Sequence, residues 1–250
     1  MNELSLFTGA GGGLLGSILL GWKTIGAVEI EEYPCKVLEQ RQRDGILDAF
    51  PIWQMDIREF NRRIAPIYKG VVDVVTAGFP CQPFSVAGKQ RAEQDERNMW
   101  PHTIECIRLV QPQYAFLENV PGLLATGYIR RVYGDLAEAG YNAQWCVLGA
   151  DNCGAPHHRK RLWIFAYTQE CGNRGALGDN QTPERKNRAG SFKCKSLARK
   201  NWHHTKGRPT HTPNLLCMAH GVAHRMDRLK AIGNGQVPRV VKVAWEVLSK

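Results

Sequence analysis

The feature that most constrains this chain is a run of β-branched and apolar residues at positions 71–77 that stops abruptly at Gly78. The run lacks the alternation of a half-solvated strand, so it is expected to be a buried strand of a parallel sheet. Phe79-Pro80-Cys81-Gln82-Pro83 follows at once. A thiol between two prolines can sit in neither a helix nor a ladder, so Cys81 is held just past the carboxyl end of a strand, where open α/β sheets do their chemistry. A core cysteine needs no rigid proline on each side, and Gln82 suits a surface loop. Most of the other cysteines read as small buried hydrophobes, and free thiols are expected.

Upstream, residues 4–7 form a short expected strand that runs into Thr8-Gly-Ala-Gly-Gly-Gly-Leu-Leu-Gly16. Glycines allow a tight turn and close backbone approach, and the helix that follows, to about residue 20, offers its N-terminal amides to a ligand. Gly11, Gly13 and Gly16 satisfy Gly-x-Gly-x-x-Gly spacing, which keeps a dinucleotide-dependent dehydrogenase open at this point. A second strand, residues 24–30, ends near Glu29. That carboxylate could accept hydrogen bonds from ribose hydroxyls or be a solvated surface group. A helix over 33–42 and a short strand over 52–54 lead to Asp56-Ile57, a third candidate for the rim of a ligand site. Alternating strands and helices give the doubly wound α/β pattern.

Beyond Cys81, residues 91–97 are charged and suited to a mobile loop, with a helix expected over 99–109. The next strand, 114–117, ends in Glu118-Asn119-Val120-Pro121-Gly122. If it neighbours the 71–77 strand, thiol and acid face one crevice, and burial beside apolar residues would keep Glu118 protonated enough to donate a hydrogen bond. The alternative is a glutamate that merely neighbours a helix N-cap. A helix over 129–139 and strands over 141–148 and 162–166 follow. Arg159 and Arg161, two apart, are expected on one side of that last strand, where two guanidiniums need anions or carbonyls.

The ordered set Phe7-x-Gly9-x-Gly11-Gly12, Glu29, Asp56, Pro80-Cys81-Gln82, Glu118-Asn119-Val120, Arg159-x-Arg161 and Gly233-Asn234 resembles the cytosine-C5 DNA methyltransferases of bacteria and phages. The likeness covers about residues 4–167 and 221–250. It implies a doubly wound, Rossmann-like methyltransferase sheet, with Phe7, Gly9, Gly11, Gly12, Glu29, Ile30, Asp56, Ile57, Gly78, Pro80 and Asn234 holding S-adenosylmethionine. Cys81, Glu118, Arg159 and Arg161 would handle the base. The residue types suit the chemistry. C5 of cytosine is a poor nucleophile until a thiolate adds to C6. Protonated Glu118 can then hydrogen-bond N3, while Arg161, aided by Arg159, stabilises charge at O2. The cytosine must first be flipped out of the duplex.

The net charge of +10 points to an anionic partner, and the resemblance makes it double-stranded DNA. Most of the excess lies in residues 168–213, where ten basic side chains face three acidic ones. The expected organisation is a catalytic and cofactor-binding part over 1–167, a short basic target-recognition region over 168–220, and a return to the catalytic part over 221–250. The alternative for the basic stretch is a disordered linker. No stretch is apolar enough to span a bilayer and no signal peptide is evident, so a cytoplasmic protein is expected; the resemblance implies a bacterial or phage origin, and a monomer is expected. It would be an orphan enzyme or the modification half of a restriction system, with a cognate endonuclease as partner. No metal is expected, since Cys153, His157 and His158 lack a complementary pair.

Three departures from the family pattern stand out: Ser5 where Asp is usual, His157 where Gln is usual, and Ala219-His-Gly-Val-Ala-His-Arg-Met-Asp-Arg-Leu-Lys230 in place of the motif before the last. Competing readings are a tRNA substrate, against which Phe84-Ser85 and the basic stretch weigh, and a DNA-binding protein with a degraded site, which the presence of Cys81, Glu118 and both arginines disfavours.

Overall fold

The computed structural model describes residues 1–80, 98–168 and 225–250. In chain order the elements are β1 (Asn2–Leu6), α1 (Gly12–Leu19), β2 (Lys23–Glu29), α2 (Glu32–Arg43), β3 (Ile52–Gln54), α3 (Ile57–Arg63), β4 (Val74–Ala77), α4 (Trp100–Val110), β5 (Tyr114–Asn119), α5 (Gly122–Ala125), α6 (Ile129–Glu138), β6 (Tyr141–Leu148), β7 (Arg161–Thr168), α7 (Arg225–Asn234) and α8 (Pro238–Leu248). The strands make one sheet in the order β3-β2-β1-β4-β5-β7-β6. β1 to β5 are mutually parallel, and β7 runs antiparallel to both β5 and β6. A short connection from β6, with one 3-10 turn at Ala150–Cys153, returns the chain as an antiparallel neighbour.

Three helices go beyond the sequence expectation, the short α5 among them. α3 starts directly after Asp56, whose side chain accepts from the Arg58 amide at 2.7 Å and so caps the helix. α7 stands at the end of the stretch that departs from the family pattern. Arg159 and Arg161 do not share a strand: β7 begins at Arg161, and Arg159 precedes it in the left-handed region, at φ 30°.

The central strands are buried on both faces, which explains their unbroken apolar character. Val75, Ala115, Leu117, Leu162 and Ile164 pack with Phe60, Trp100, Ile104, Ile107 and Leu136 of the helices on one side. Val74, Phe116, Trp163 and Phe165 meet Val240, Val241, Ala244 and Leu248 of α8 on the other. Trp245 stands edge-on to Trp22 at 4.6 Å and to Phe165 at 4.9 Å between ring centroids, a favourable aromatic geometry. α8 therefore completes the core, with its Val240, Val241 and Ala244 stripe turned inward. No helix among the described residues is long and apolar enough to cross a membrane.

Gly16 is where α1 and α8 touch: a Cβ there would lie 2.5 Å from Val241 Cβ and 3.0 Å from the Pro238 carbonyl oxygen. Gly134, on an open face of α6, would meet nothing within 4 Å. Gly16→Ala is expected to cost about 1–3 kcal/mol by overpacking, while Gly134→Ala gains up to about 1 kcal/mol from helix propensity. Urea midpoints of the two variants, moving in opposite directions from wild type, check this.

Candidate active site

The carboxyl ends of β1, β2, β4 and β5 open into a cavity of about 520 Å³. Its walls come from the turns after these strands and from α7 and residues 233–236. The position follows from topology. Parallel strands end on the same edge of the sheet, and β1, where the order reverses, provides the crevice.

On the glycine-loop side, Phe7 and Gly9 take positive φ, 52° and 56°. The Gly9 amide donates to Glu29 Oε2 at 2.7 Å, and the Glu31 amide donates to Oε1 at 2.9 Å. Glu29, buried at 8% exposure, thus fixes the glycine loop to the turn after β2 while still lining the cavity. Phe7, Ile30, Gly78, Pro80 and Asn234 line it too, and Ile30 is 57% exposed. Gly11, Gly12, Asp56 and Ile57 do not belong to its walls. Gly11 takes φ 80° ahead of α1, Gly12 lies against the backbone of Gln236, Asp56 caps α3, and Ile57 is buried in the core. Sequence spacing alone could not show these contacts.

On the other side, β4 pairs with β5 in parallel, Ala77 opposite Leu117, so Gly78 and Glu118 are adjacent. The condition set on the sequence, that the two strands be neighbours, is met. Cys81 lies outside the described residues, one residue beyond Pro80. The Asn119 side-chain Nδ2 donates to the Phe79 carbonyl at 3.1 Å and ties the two strand ends together just before it.

Glu118 is buried at 9% exposure, with Arg161 Nε 2.7 Å from its Oε1 and Gln236 Nε2 3.4 Å from its Oε2. Burial pushes the carboxyl above its ordinary pKa, against the opposing pull of Arg161, the Gln236 hydrogen bond and Arg159. Arg159 is held elsewhere. Its Nη2 donates to the carbonyls of Gly233, at 2.7 Å, and Gly235, which secures the turn that carries Gln236.

Sequence reasoning missed two residues. Gln236 is wedged between the glycine loop and Glu118, and the only signal for it was its place between Gly235 and the start of α8. Glu3, 1% exposed, accepts hydrogen bonds from Ser17 at 2.8 Å, Thr24 at 2.9 Å and Thr76 at 2.7 Å, and burial raises its pKa. It lies two residues before Ser5 and so on the same strand face, which puts a carboxyl below the position where the family pattern has one. A glutamate in a short apolar strand was the available signal.

A profile for the C-5 cytosine-specific DNA methylase family matches residues 1–220. The Type II methyltransferase M.NgoMIV of Neisseria gonorrhoeae is 33% identical over 175 residues, covering 69% of this chain and 53% of that protein. M.AplI of Arthrospira platensis is 32% identical over 166 residues, covering 66% and 45%. The chain therefore spans about half the length of these curated relatives. A crystal structure described as a DNA modification methyltransferase encoded within an E. coli prophage superposes with a TM-score of 0.57 at 23% identity, covering 69% of this chain and 48% of that one. That likeness speaks for the fold, and the profile speaks for the lineage: with its glycine loop, its Pro-Cys-Gln and its buried Glu118 in their expected order, this chain belongs to the C-5 cytosine-specific DNA methylase family.

Proposed function

We propose that the protein methylates C5 of cytosine in double-stranded DNA, with S-adenosylmethionine as methyl donor. The observation that carries this reading is the buried Glu118, paired with Arg161 and adjacent to Gly78, in the same cavity as the glycine loop and Glu29. A carboxyl held above its ordinary pKa in a crevice is what an acid acting on a heterocyclic nitrogen requires.

The cavity suits the donor's chemistry. Phe7, Ile30 and Pro80 offer apolar surface for a purine, and the Glu29 carboxylate is an acceptor for ribose hydroxyls. Glu29, Glu31 and Asp227 line a cavity fit for a cationic sulfonium. When bound, S-adenosylmethionine supplies an electrophilic methyl group on sulfur.

In this reading the Cys81 thiolate forms a bond to C6 of a flipped-out cytosine. The C5–C6 π electrons shift so that C5 becomes nucleophilic, and Glu118 donates a hydrogen bond to N3 as negative charge grows there. Arg161 holds Glu118 in place and adds positive charge at the O2 side. Once C5 has taken the methyl group in place of its bond to the donor sulfur, loss of the C5 proton to a base and breakage of the S–C6 bond restore the aromatic ring and the free thiolate. Residues 168–220, of which 169–220 lie outside the described residues, are proposed as the target-recognition region, their excess of positive charge tracking phosphates.

Incubation with labelled S-adenosylmethionine and varied DNA, followed by bisulfite sequencing, tests the reading; absence of 5-methylcytosine on every DNA would overturn it. Cys81→Ser is expected to abolish transfer while cofactor and DNA binding persist, because a serine hydroxyl is too weak a nucleophile for C6.

The sign of the pH dependence follows from Glu118. Its raised pKa keeps it protonated, and so able to donate, below that raised value, and kcat falls as pH rises through it. Glu118→Gln keeps a donor for N3 but has no proton to release. Its kcat is expected to drop by about 10²- to 10⁴-fold, and the alkaline limb of the pH profile to disappear.

The recognition segment separates cleanly from the cofactor site in its expected response. Each positive side chain removed from residues 168–213 is expected to lower the salt slope of DNA binding by about 1. Replacing the segment with a Gly/Ser linker should abolish sequence choice and leave cofactor affinity intact. An unchanged methylation pattern after that replacement rules the segment out as the reader.

A further inference from the structure

Gln236 belongs to neither the glycine loop nor the strand ends that carry the proposed chemistry, yet it touches both. A Cβ on Gly13 would lie 2.6 Å from Gln236 Oε1, and a Cβ on Gly78 would lie 3.1 Å from Gln236 Nε2 and 3.1 Å from Glu118 Oε2. The carboxamide is thus sandwiched between two positions that carry no side chain, with its nitrogen 3.4 Å from Glu118 Oε2. Its backbone lies against Gly12, where a Cβ would collide with the Gln236 carbonyl. Arg159 clamps the preceding turn through the Gly233 and Gly235 carbonyls. Three glycines and one arginine therefore hold this one amide against Glu118.

We propose that Gln236 is a positioning residue for Glu118: it holds Oε2 while Arg161 holds Oε1, and it fits the carboxyl in both of its protonation states. An amide presents a donor and an acceptor on one planar group, so a half-turn exchanges them. The NH₂ donates to a carboxylate, and the carbonyl accepts from a carboxylic acid until a bound base takes that hydrogen bond at N3. A leucine or methionine of similar size could do neither, and a lysine would hold the carboxyl permanently ionised. The acid needs such a partner because it must be protonated to act at N3 and yet sits beside a guanidinium that favours its anion. Charged groups facing Glu118 are Arg161 at the start of β7 and Arg159 just before it. Glu3, Glu29, Glu31, Asp227 and Lys230 line the same cavity, and Lys230 is paired with Glu31 at 2.8 Å. None of these gives Glu118 Oε2 a neutral partner.

The inference rests on the proposed role of Glu118 in methyl transfer, so its test has one readout independent of activity. The Glu118 carboxyl is titrated in the whole 250-residue chain by carbon-13 NMR of labelled glutamate, with Glu118→Gln providing the assignment, in wild type, Gln236→Met and Gln236→Glu. The Gln236 donor favours the anion, so its removal in Gln236→Met is expected to move the Glu118 titration up. Gln236→Glu should move it further, since two adjacent carboxyls share a proton. In steady-state assays the alkaline limb of kcat should shift in the same order. For Gln236→Met, kcat should fall by about ten- to hundredfold, the scale of a displaced catalytic group, with KM for S-adenosylmethionine within about threefold. Gln236→Asn keeps the amide but is one methylene too short; it should fold as wild type does and follow Gln236→Met in the titration.

A Glu118 titration that stays in place in both the Met and Glu variants, whatever happens to stability or KM, overturns the proposal and leaves Gln236 a packing residue. A titration that moves in the stated order in a protein with no methyl transfer to any DNA upholds the contact and removes the catalytic reading of Glu118 instead.

Discussion

The site depends on backbone being allowed to come close to backbone. Gly12, Gly13 and Gly78 leave room for residues 233–236 to pass between the glycine loop and the end of β4, and any Cβ at these three positions would meet Gln236. Through this one insertion the C-terminal part of the chain reaches Glu118, more than a hundred residues away in sequence. Glycine is costly in the unfolded chain because it has more conformations to lose. Its concentration here is explained by steric access as much as by the positive φ of Gly9 and Gly11.

The same insertion joins stability to the site. α8 follows directly after the turn and supplies Val240, Val241, Ala244 and Leu248 to one face of the sheet, with Trp245 edge-on to the aromatic residues of β5 and β7. Hydrophobic burial of α8, at about 25 cal/mol per Å² of apolar surface removed from water, sets the place of the turn in front of it. Gln236 and Arg159 do not have to hold the turn alone. Without α8 the face lined by Phe116, Trp163 and Phe165 would be open to water and the cavity would lose the wall contributed by residues 233–236.

Three buried carboxyls, Glu3, Glu29 and Glu118, lie along this cavity, and Glu3 and Glu118 are stabilised in different ways. Glu3 accepts from three hydroxyls on α1, β2 and β4, a neutral set that ties the elements together and compensates in part for lost hydration. Glu118 has a guanidinium on one oxygen and an amide on the other. Burial raises both pKa values, but only Glu118 stands beside the segment that leads to Cys81. Position relative to the strand ends, more than burial, separates the structural acid from the candidate catalytic one.

Much of this architecture was legible in the chain itself. Unalternated apolar runs at 71–77 and 114–117 marked buried strands, although only 74–77 of the first joins the sheet and Val71 is exposed; the glycine loop marked the first turn, and the order of short motifs marked the family. Periodicity and local sterics act over a few residues, so a sequence carries them openly. The sequence could not show that β7 is reversed, that Asp56 and Ile57 serve α3 and the core, or that Arg159 leaves the strand to clamp a distant turn. Nor could it show that Gln236 completes the environment of Glu118. Each of these is fixed by contacts between residues far apart in the chain: β7 is placed by its pairing with β5 and β6, and Gln236 by the packing of α8 on α1. Local sequence determined which elements form and which residue types stand at their ends; long-range packing alone decided which of those residues meet.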